Sequence, residues 1–392
     1  MSLCSVSNKH IVCHDCCQRV CICPLCNGTL VDNISLAQSM IDTIEEVRKN
    51  LEDYCFPSDL AKEIIIKYNQ EPMTYGTMGK LFYINDKYVV KCALIPNTIE
   101  IEEALIHEIA LSHPLAHIPH LVSVYGGVRL AEHGIGIVME YINGPSLAAA
   151  LADNSTIIRN LSIQERLQIA LGIAQGIGEL HLAQIVHRDF KPENVLLSQS
   201  PNGIYIPKIT DFGVSFQLSV ASATFVKDSC GTAGYDAPEV VIGNERPSAA
   251  SDIYVLAFTL YELLTSRRVF HSFKPAQILW KFTMCGERPS NWHDDTPNPL
   301  KQVIEQAWCI EADRRATIAQ IIHSIRKALD RNQVSCLKML QKNNYLRNKI
   351  ASVQLEDFQE FELFALNEFI KRMTIDDCEA MQIFIDKLLP TS

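Results

Sequence analysis

No apolar stretch in this 392-residue chain is long enough to cross a bilayer. The longest, IYVLAFTLYELL at Ile253–Leu264, is 12 residues, short of the roughly 18 that a spanning helix needs, and reads as a buried core helix. The N-terminus lacks an apolar h-region with a cleavage site, so a secretory leader is not expected. Positive charge is not in excess: 35 Lys and Arg stand against 45 Asp and Glu, a net charge of -10. That balance argues against a general nucleic-acid or anionic-membrane binder. Internal repeats and low-complexity segments are also lacking. Apolar residues are not scarce, and 47% of the chain is enough for a large core. At roughly 100–200 residues per domain, two or three domains are expected.

Cysteine is plentiful but unevenly placed. Of 14, seven lie in the first 26 residues: Cys4, Cys13, Cys16, Cys17, Cys21, Cys23 and Cys26. Without a leader, a disulfide framework is not expected, and metal ligation in a reducing, cytoplasmic compartment is the better reading. The stretch HIVCHDCCQRVCICPLC holds His10-x2-Cys13-x2-Cys16 and Cys23-x2-Cys26. Pairs at x2 spacing suit tetrahedral zinc, because one loop presents two side chains to one ion. The pattern resembles the latter half of a RING finger, although no C-x2-C precedes His10. One zinc held by His10, Cys23 and Cys26 is expected, with Cys4, Cys17 or Cys21 open as completing ligands. Cys13 and Cys16 then form half of a second site. The resemblance implies a ubiquitin-conjugating enzyme or an adaptor as partner.

Four segments follow from the pattern: a zinc-binding segment at 1–32, a helical linker at 33–69, a domain at 70–330 and a helical tail at 331–392. Leu36, Met40, Ile44, Val47 and Leu51 recur at helical spacing in the linker. From about 74 the pattern turns to strands, KLFYIND and KYVVKCAL, with a turn at Asn85-Asp86, and GIGIVMEYI is a further strand. From about 161 helical periodicity takes over. A small β-rich lobe followed by a larger helical lobe is an α+β arrangement. In the tail, Phe358, Phe361, Phe364 or Ala365, and Phe369 make an apolar stripe.

The stretch IVHRDFKPENVLL (Ile185–Leu197) sets His, Arg, Asp, Lys and Asn between apolar flanks, and DFG follows at Asp211–Gly213. An Asp and an Asn on one loop with a second Asp on a neighbouring loop offer oxygen atoms to one point. Mg²⁺ takes oxygen ligands and commonly bridges one or two carboxylates to phosphates. This resembles the protein-kinase motif set over roughly residues 70–330. The resemblance implies a bilobal fold that transfers the γ-phosphate of ATP to Ser or Thr of protein substrates. Asp189 would be the base or hydroxyl-positioning residue, Lys191 would neutralise the transferring phosphate, and Asn194 and Asp211 would hold magnesium.

TYGTMGKLF aligns with the glycine-rich loop: Gly76 and Gly79 match its second and third glycines, Thr74 replaces the first, and Leu81 stands where Val is usual. Missing Cβ atoms let backbone N–H groups approach phosphate. Lys91 of VVKCA matches the phosphate-pairing lysine, with Val89 in place of the usual Ala. Its acidic partner would be Glu108, with Glu103 as the alternative. Met139 would be the gatekeeper, and Glu140 and Tyr141 the adenine hinge. Glu239 would pair with Arg315 or its neighbour Arg314, and Asp252 would orient the catalytic loop. Ser219, Ser222, Thr224 and Ser229 are candidate phosphorylation sites that Arg188 would dock. GTAGYDAPE and AWCIEADRRAT resemble the tyrosine-kinase-like group, receptor-interacting kinases included. Two other readings stay open: a pseudokinase scaffold, and a RING-type ubiquitin ligase carrying a kinase fold as sensor.

Overall fold

The computed structural model describes residues 2–4, 11–12, 30–32, 74–75, 79–93, 99–130, 134–200, 203–211, 216–217, 235–242, 245–270 and 273–329. The expected zinc ligands His10, Cys13, Cys16, Cys23 and Cys26 lie outside the described residues, as do the linker and the tail. So do Gly76, Phe212, Gly213 and the four candidate phosphorylation sites. At the N-terminus, β1 (Ser2–Cys4), β2 (Ile11–Val12) and β3 (Leu30–Asp32) form a small antiparallel sheet in the order β2-β1-β3.

The small lobe is a five-stranded antiparallel sheet in the order β4-β5-β6-β8-β7. Its strands are β4 (Thr74–Tyr75), β5 (Lys80–Tyr83), β6 (Tyr88–Cys92), β7 (Val124–Leu130) and β8 (Gly134–Glu140). The β5–β6 turn forms where the Asn85-Asp86 pair places it. The Asn85 side-chain oxygen accepts the N–H groups of Lys87 at 2.9 Å and Tyr88 at 3.1 Å, closing the turn together with the backbone bonds between Asn85 and Tyr88. Helix α1 (Ile99–Ser112) packs on β7 and β8.

The large lobe is built around two long helices that pack on each other, α4 (Ile163–Leu182) and α6 (Ala249–Thr265). Short helices α2 (Leu147–Ala150), α3 (Ile157–Asn160) and α5 (Pro238–Val241) lie between them or lead into them. Helices α7 (Pro275–Ile278), α8 (Asn298–Ala307) and α9 (318–329) follow. Ser162 and Glu165 close a capping box on α4, which satisfies two N–H groups that a helix start leaves open. In α6 every residue from Ser251 to Thr265 is buried, as a helix apolar on all sides requires. It stops at Ser266, which adopts a left-handed φ of 54°.

One departure from the helical pattern expected after 161 decides where the site lies. Four short strands interrupt the helices: β9 (Ile185–Val186), β10 (Val195–Gln199), β11 (Tyr205–Ile209) and β12 (Phe216–Gln217). β10 pairs with β11, and β9 with β12, both antiparallel. Strands of two to five residues are too short to show a period against the long helices beside them.

Glu179, near the end of α4, is 9% exposed, and burial pushes its carboxyl up to about 8. The folded state therefore holds a proton that the unfolded chain, titrating near its ordinary value of 4.5, releases. Stability from this group is fully present below about pH 4.5 and is lost as pH rises through about 8. Glu179→Gln is expected to remove that loss and raise the melting temperature at pH 8.5 by roughly 5 °C, with little change at pH 5. Parallel pH–Tm curves for wild type and variant would contradict it.

Candidate active site

The loop after β9 is held from below by one buried carboxylate. Asp252, near the start of α6, is 2% exposed. It accepts the backbone N–H of His187 at 2.9 Å and of Arg188 at 3.1 Å, and its Oδ2 lies 2.9 Å from His181 Nε2. Arg188 has a left-handed φ of 69°, a conformation costly for a residue with a Cβ. The bonds to Asp252 offset that cost and turn the next residue, Asp189, upward. Lys191 Nζ then lies 2.5 Å from Asp189 Oδ2, and Asn194 Nδ2 donates to the Asp189 carbonyl at 2.8 Å. The single turn Pro192–Asn194 carries the chain into β10.

The β10–β11 hairpin brings Asn194 against the residue that precedes Asp211. Val195 begins one strand, Ile209 ends the other, and the two are paired. Residues just outside that pair are thereby neighbours, and the Thr210 N–H donates to the Asn194 carbonyl at 3.0 Å. His187 Nε2 lies 3.1 Å from the Thr210 carbonyl, tying the same two loops a second time. Asp211 also has a left-handed φ, 69°.

From the small lobe, Lys91 reaches down to this hairpin. Its Nζ is 2.8 Å from both carboxylate oxygens of Glu108 and 2.9 Å from Asp211 Oδ1. Lys91 and Glu108 are 8% and 2% exposed. Burial by itself would lower the lysine, but the charges of Glu108 and Asp211 outweigh it and the net shift is upward. For Asp211 burial works upward, and Lys91 more than offsets it, holding the carboxyl below its ordinary value. The pair is therefore ionised at neutral pH. Of the two candidate partners for the lysine, Glu108 takes the place.

A Cβ at Gly79 would lie 2.5 Å from the Cys92 carbonyl oxygen. Glycine is needed there so that the start of β5 can pass against β6. At the hinge, the Tyr141 N–H already donates to the Lys87 carbonyl at 2.9 Å, and its ring stands edge-on to Tyr83. The Glu140 carboxylate accepts Lys208 Nζ at 2.7 Å. The N–H groups of Ile142 and Asn143, just beyond, donate to no partner among the described residues. Gly144 then lets the segment run against β10, since a Cβ there would lie 1.9 Å from the Leu197 carbonyl oxygen. Leu81, Val89 and Met139 belong to one apolar cluster, with Val89 directly across from Met139.

On the other side of the loop, Glu239 and Arg315 form a two-pronged pair at 2.7 and 2.6 Å, so Arg315 rather than Arg314 anchors the segment. Three features here carried no signal in the sequence. Arg268 lies between Glu193, at 2.9 Å, and the fully buried Glu262, at 3.3 Å. Tyr235 stands beside Arg268 and packs on Phe270. His181 joins Asp252 six residues ahead of the motif. Apart from Arg268–Glu262, six residues apart, these are contacts between residues distant in the chain, which no local spacing announces.

Whether magnesium fits can be judged from the donors. Asn194 directs its amide nitrogen at Asp189, which leaves its amide oxygen as the remaining polar atom. With the Asp211 carboxylate this is a hard oxygen set. Among the described residues no three His, Cys, Asp or Glu side chains form a metal cage. Two oxygen side chains without a full cage suit a cation that takes its other ligands from phosphate and water.

Residues 74–325 match the family model described as "Protein kinase domain". The chain is 32% identical over 222 residues to "Serine/threonine-protein kinase PrkC" of Bacillus subtilis, covering 55% of this chain and 32% of that protein. It is 36% identical over 194 residues to "Serine/threonine-protein kinase PkaB" of Streptomyces coelicolor, covering 48% and 43%. It is 28% identical over 252 residues to "Serine/threonine-protein kinase nekl-2" of Caenorhabditis elegans, covering 62% and 67%. The chain thus spans less than half the length of the first two relatives.

Proposed function

Because the chain belongs to the protein kinase domain family, we propose that it transfers the γ-phosphate of ATP to Ser or Thr hydroxyls of protein substrates. The observation that carries this reading is the seating of Lys91 between Glu108 and Asp211, directly above the loop that holds Asp189. A lysine fixed by two carboxylates in a dry cleft has one place to point. It would hold the α- and β-phosphates of the nucleotide. Asn194 and Asp211 would hold magnesium, which when bound neutralises phosphate oxygens.

The chain's own groups then divide the work. Leu81, Val89 and Met139 cover the base, and the Ile142 N–H is the donor that reads its edge. Asp189 accepts the hydrogen bond of the attacking hydroxyl and aligns its oxygen with the phosphorus. Lys191, beside Asp189, supplies positive charge where negative charge moves toward the acceptor. Little bond-making chemistry is asked of the protein, so position and charge carry the rate.

The motifs of the large lobe support placement in the tyrosine-kinase-like group, and the x2-spaced cysteines and His10 support a zinc-binding segment at 1–32 ahead of the kinase domain at 70–330. A RING-like segment would take a ubiquitin-conjugating enzyme or an adaptor as partner. In the described residues no helix is long and apolar enough to cross a membrane.

Incubation of the full chain with γ-labelled ATP, magnesium and a generic basic protein is expected to give phosphoserine and phosphothreonine, without phosphotyrosine. ATP–magnesium binding without any transfer would instead leave the scaffold reading.

A further inference from the structure

We propose that Arg268 is a positioning residue for phosphoryl transfer, holding the catalytic turn Pro192–Asn194 from its outer side through Glu193. The inference rests on the kinase reading and adds to it a residue placed behind the reacting groups. Asp252 fixes the loop at its start, by the N–H groups of His187 and Arg188. The loop ends in the single turn Pro192–Asn194, where the Asn194 N–H donates to the Lys191 carbonyl at 2.9 Å. That turn has to aim both Lys191 and Asn194 at Asp189. Glu193, between them, lies on the outer side: its side chain is 43% exposed, whereas Lys191 and Asn194 are buried. Arg268 meets it there.

Arg268 is built into the frame, and four elements meet on its side chain. Nη2 donates to Glu193 Oε1 at 2.9 Å and reaches the Tyr235 hydroxyl at 3.5 Å. Nη1 donates at 3.2 Å to the Ala148 carbonyl of α2, a helix that itself packs on the catalytic turn. Nε lies 3.3 Å from Glu262 Oε2 of α6. Glu262 is fully buried, and its other oxygen accepts the Val269 N–H at 2.6 Å. Tyr235 stands edge-on to Phe270, with ring centroids 4.7 Å apart. A guanidinium is planar and presents its donors in a fixed fork. With Nε beside Glu262 and Nη1 on Ala148, the direction in which Nη2 meets Glu193 is set. The buried end is the anchor, on the helix that also carries Asp252. Both ends of the catalytic loop are thus tied to α6, the start through Asp252 and the end through Arg268. A reaction that depends on position loses rate when a distant support shifts by about an ångström, by up to roughly a hundredfold.

The test uses the full chain and two single variants with their double. Glu193→Ala removes the contact at the turn and keeps the buried Arg268–Glu262 pair. Arg268→Lys keeps a cation beside Glu262 but has no fork to span Glu262, Ala148 and Glu193 together. Each is expected to lower kcat toward a serine peptide roughly tenfold, with the KM for ATP within about twofold of wild type. Glu193→Ala should do so with a melting temperature within about 2 °C of wild type, because an ion pair to a half-exposed carboxylate contributes little to the fold. Glu193→Gln, which keeps an acceptor for the guanidinium, should recover part of the rate. The double variant should be no slower than the slower single, since the two residues act through one contact. Amide hydrogen exchange at Asn194 should quicken in both singles. A Glu193→Ala rate equal to wild type, or single losses that multiply in the double variant, overturns the proposal. If wild type transfers no phosphate, the kinase reading fails and the exchange measurement still decides the contact: quickened exchange leaves the positioning standing, and unchanged exchange overturns it.

Discussion

Asp189→Asn is expected to lower kcat by roughly 10²–10⁴, the usual worth of a positioned acid–base group. The substitution keeps the shape of the side chain and removes its charge. The Asp189 carbonyl still accepts the Asn194 amide, and the loop is still held by Asp252, because those bonds do not use the Asp189 carboxylate. What is lost is the acceptor for the incoming hydroxyl and the partner of Lys191. The KM for ATP should stay within about threefold, since Lys91 and Asp211 lie on other elements and Asn194 keeps its 2.8 Å bond to the Asp189 carbonyl. Steady-state kinetics beside a melting curve checks this. Turnover within threefold of wild type would remove Asp189 from the reaction.

Lys91→Met is expected to lose both transfer and stability. The methionine fills the volume of the lysine stem but leaves Glu108, 2% exposed, and Asp211 without their cation. Removing one partner of a buried pair costs about 3–5 kcal/mol, because the remaining charge is then buried without compensation. Urea unfolding should show that loss in the single variant. Adding Glu108→Leu should recover part of it, since the uncompensated carboxylate goes with the substitution. Activity should not return, because the double variant still lacks the phosphate-pairing lysine. A single variant as stable as wild type would show that the Lys91–Glu108–Asp211 contact contributes nothing net to the fold.

The parts of the site differ in how openly the chain announces them. HRDFKPEN and DFG are local strings, and their residue types are chemically unusual enough on apolar flanks to stand out. The Asn85-Asp86 turn is legible for the same reason: its hydrogen bonds are made within three residues. The hinge is less so. The pattern points to residues 140–141, while the open N–H groups are those of Ile142 and Asn143, because Tyr141 is already bonded to Lys87 in the turn before β6. Gly79 shows the same limit. The loop motif names the glycine, but not the contact that excludes a Cβ there, which comes from Cys92, 13 residues on.

Composition and local motifs alone thus settled the small-lobe strands, the buried α6 and the residue types gathered at 187–194 and 211, because each depends on neighbours in the chain. Local motifs named Glu108 for Lys91 and Arg315 for Glu239 beside their neighbours Glu103 and Arg314; the tertiary structure makes those two pairs and alone sets Asn194 beside Thr210. Those outcomes depend on distances between residues far apart in the chain. Such distances are fixed by the packing of the sheet, the β10–β11 hairpin and α6 together, and no window of sequence contains them.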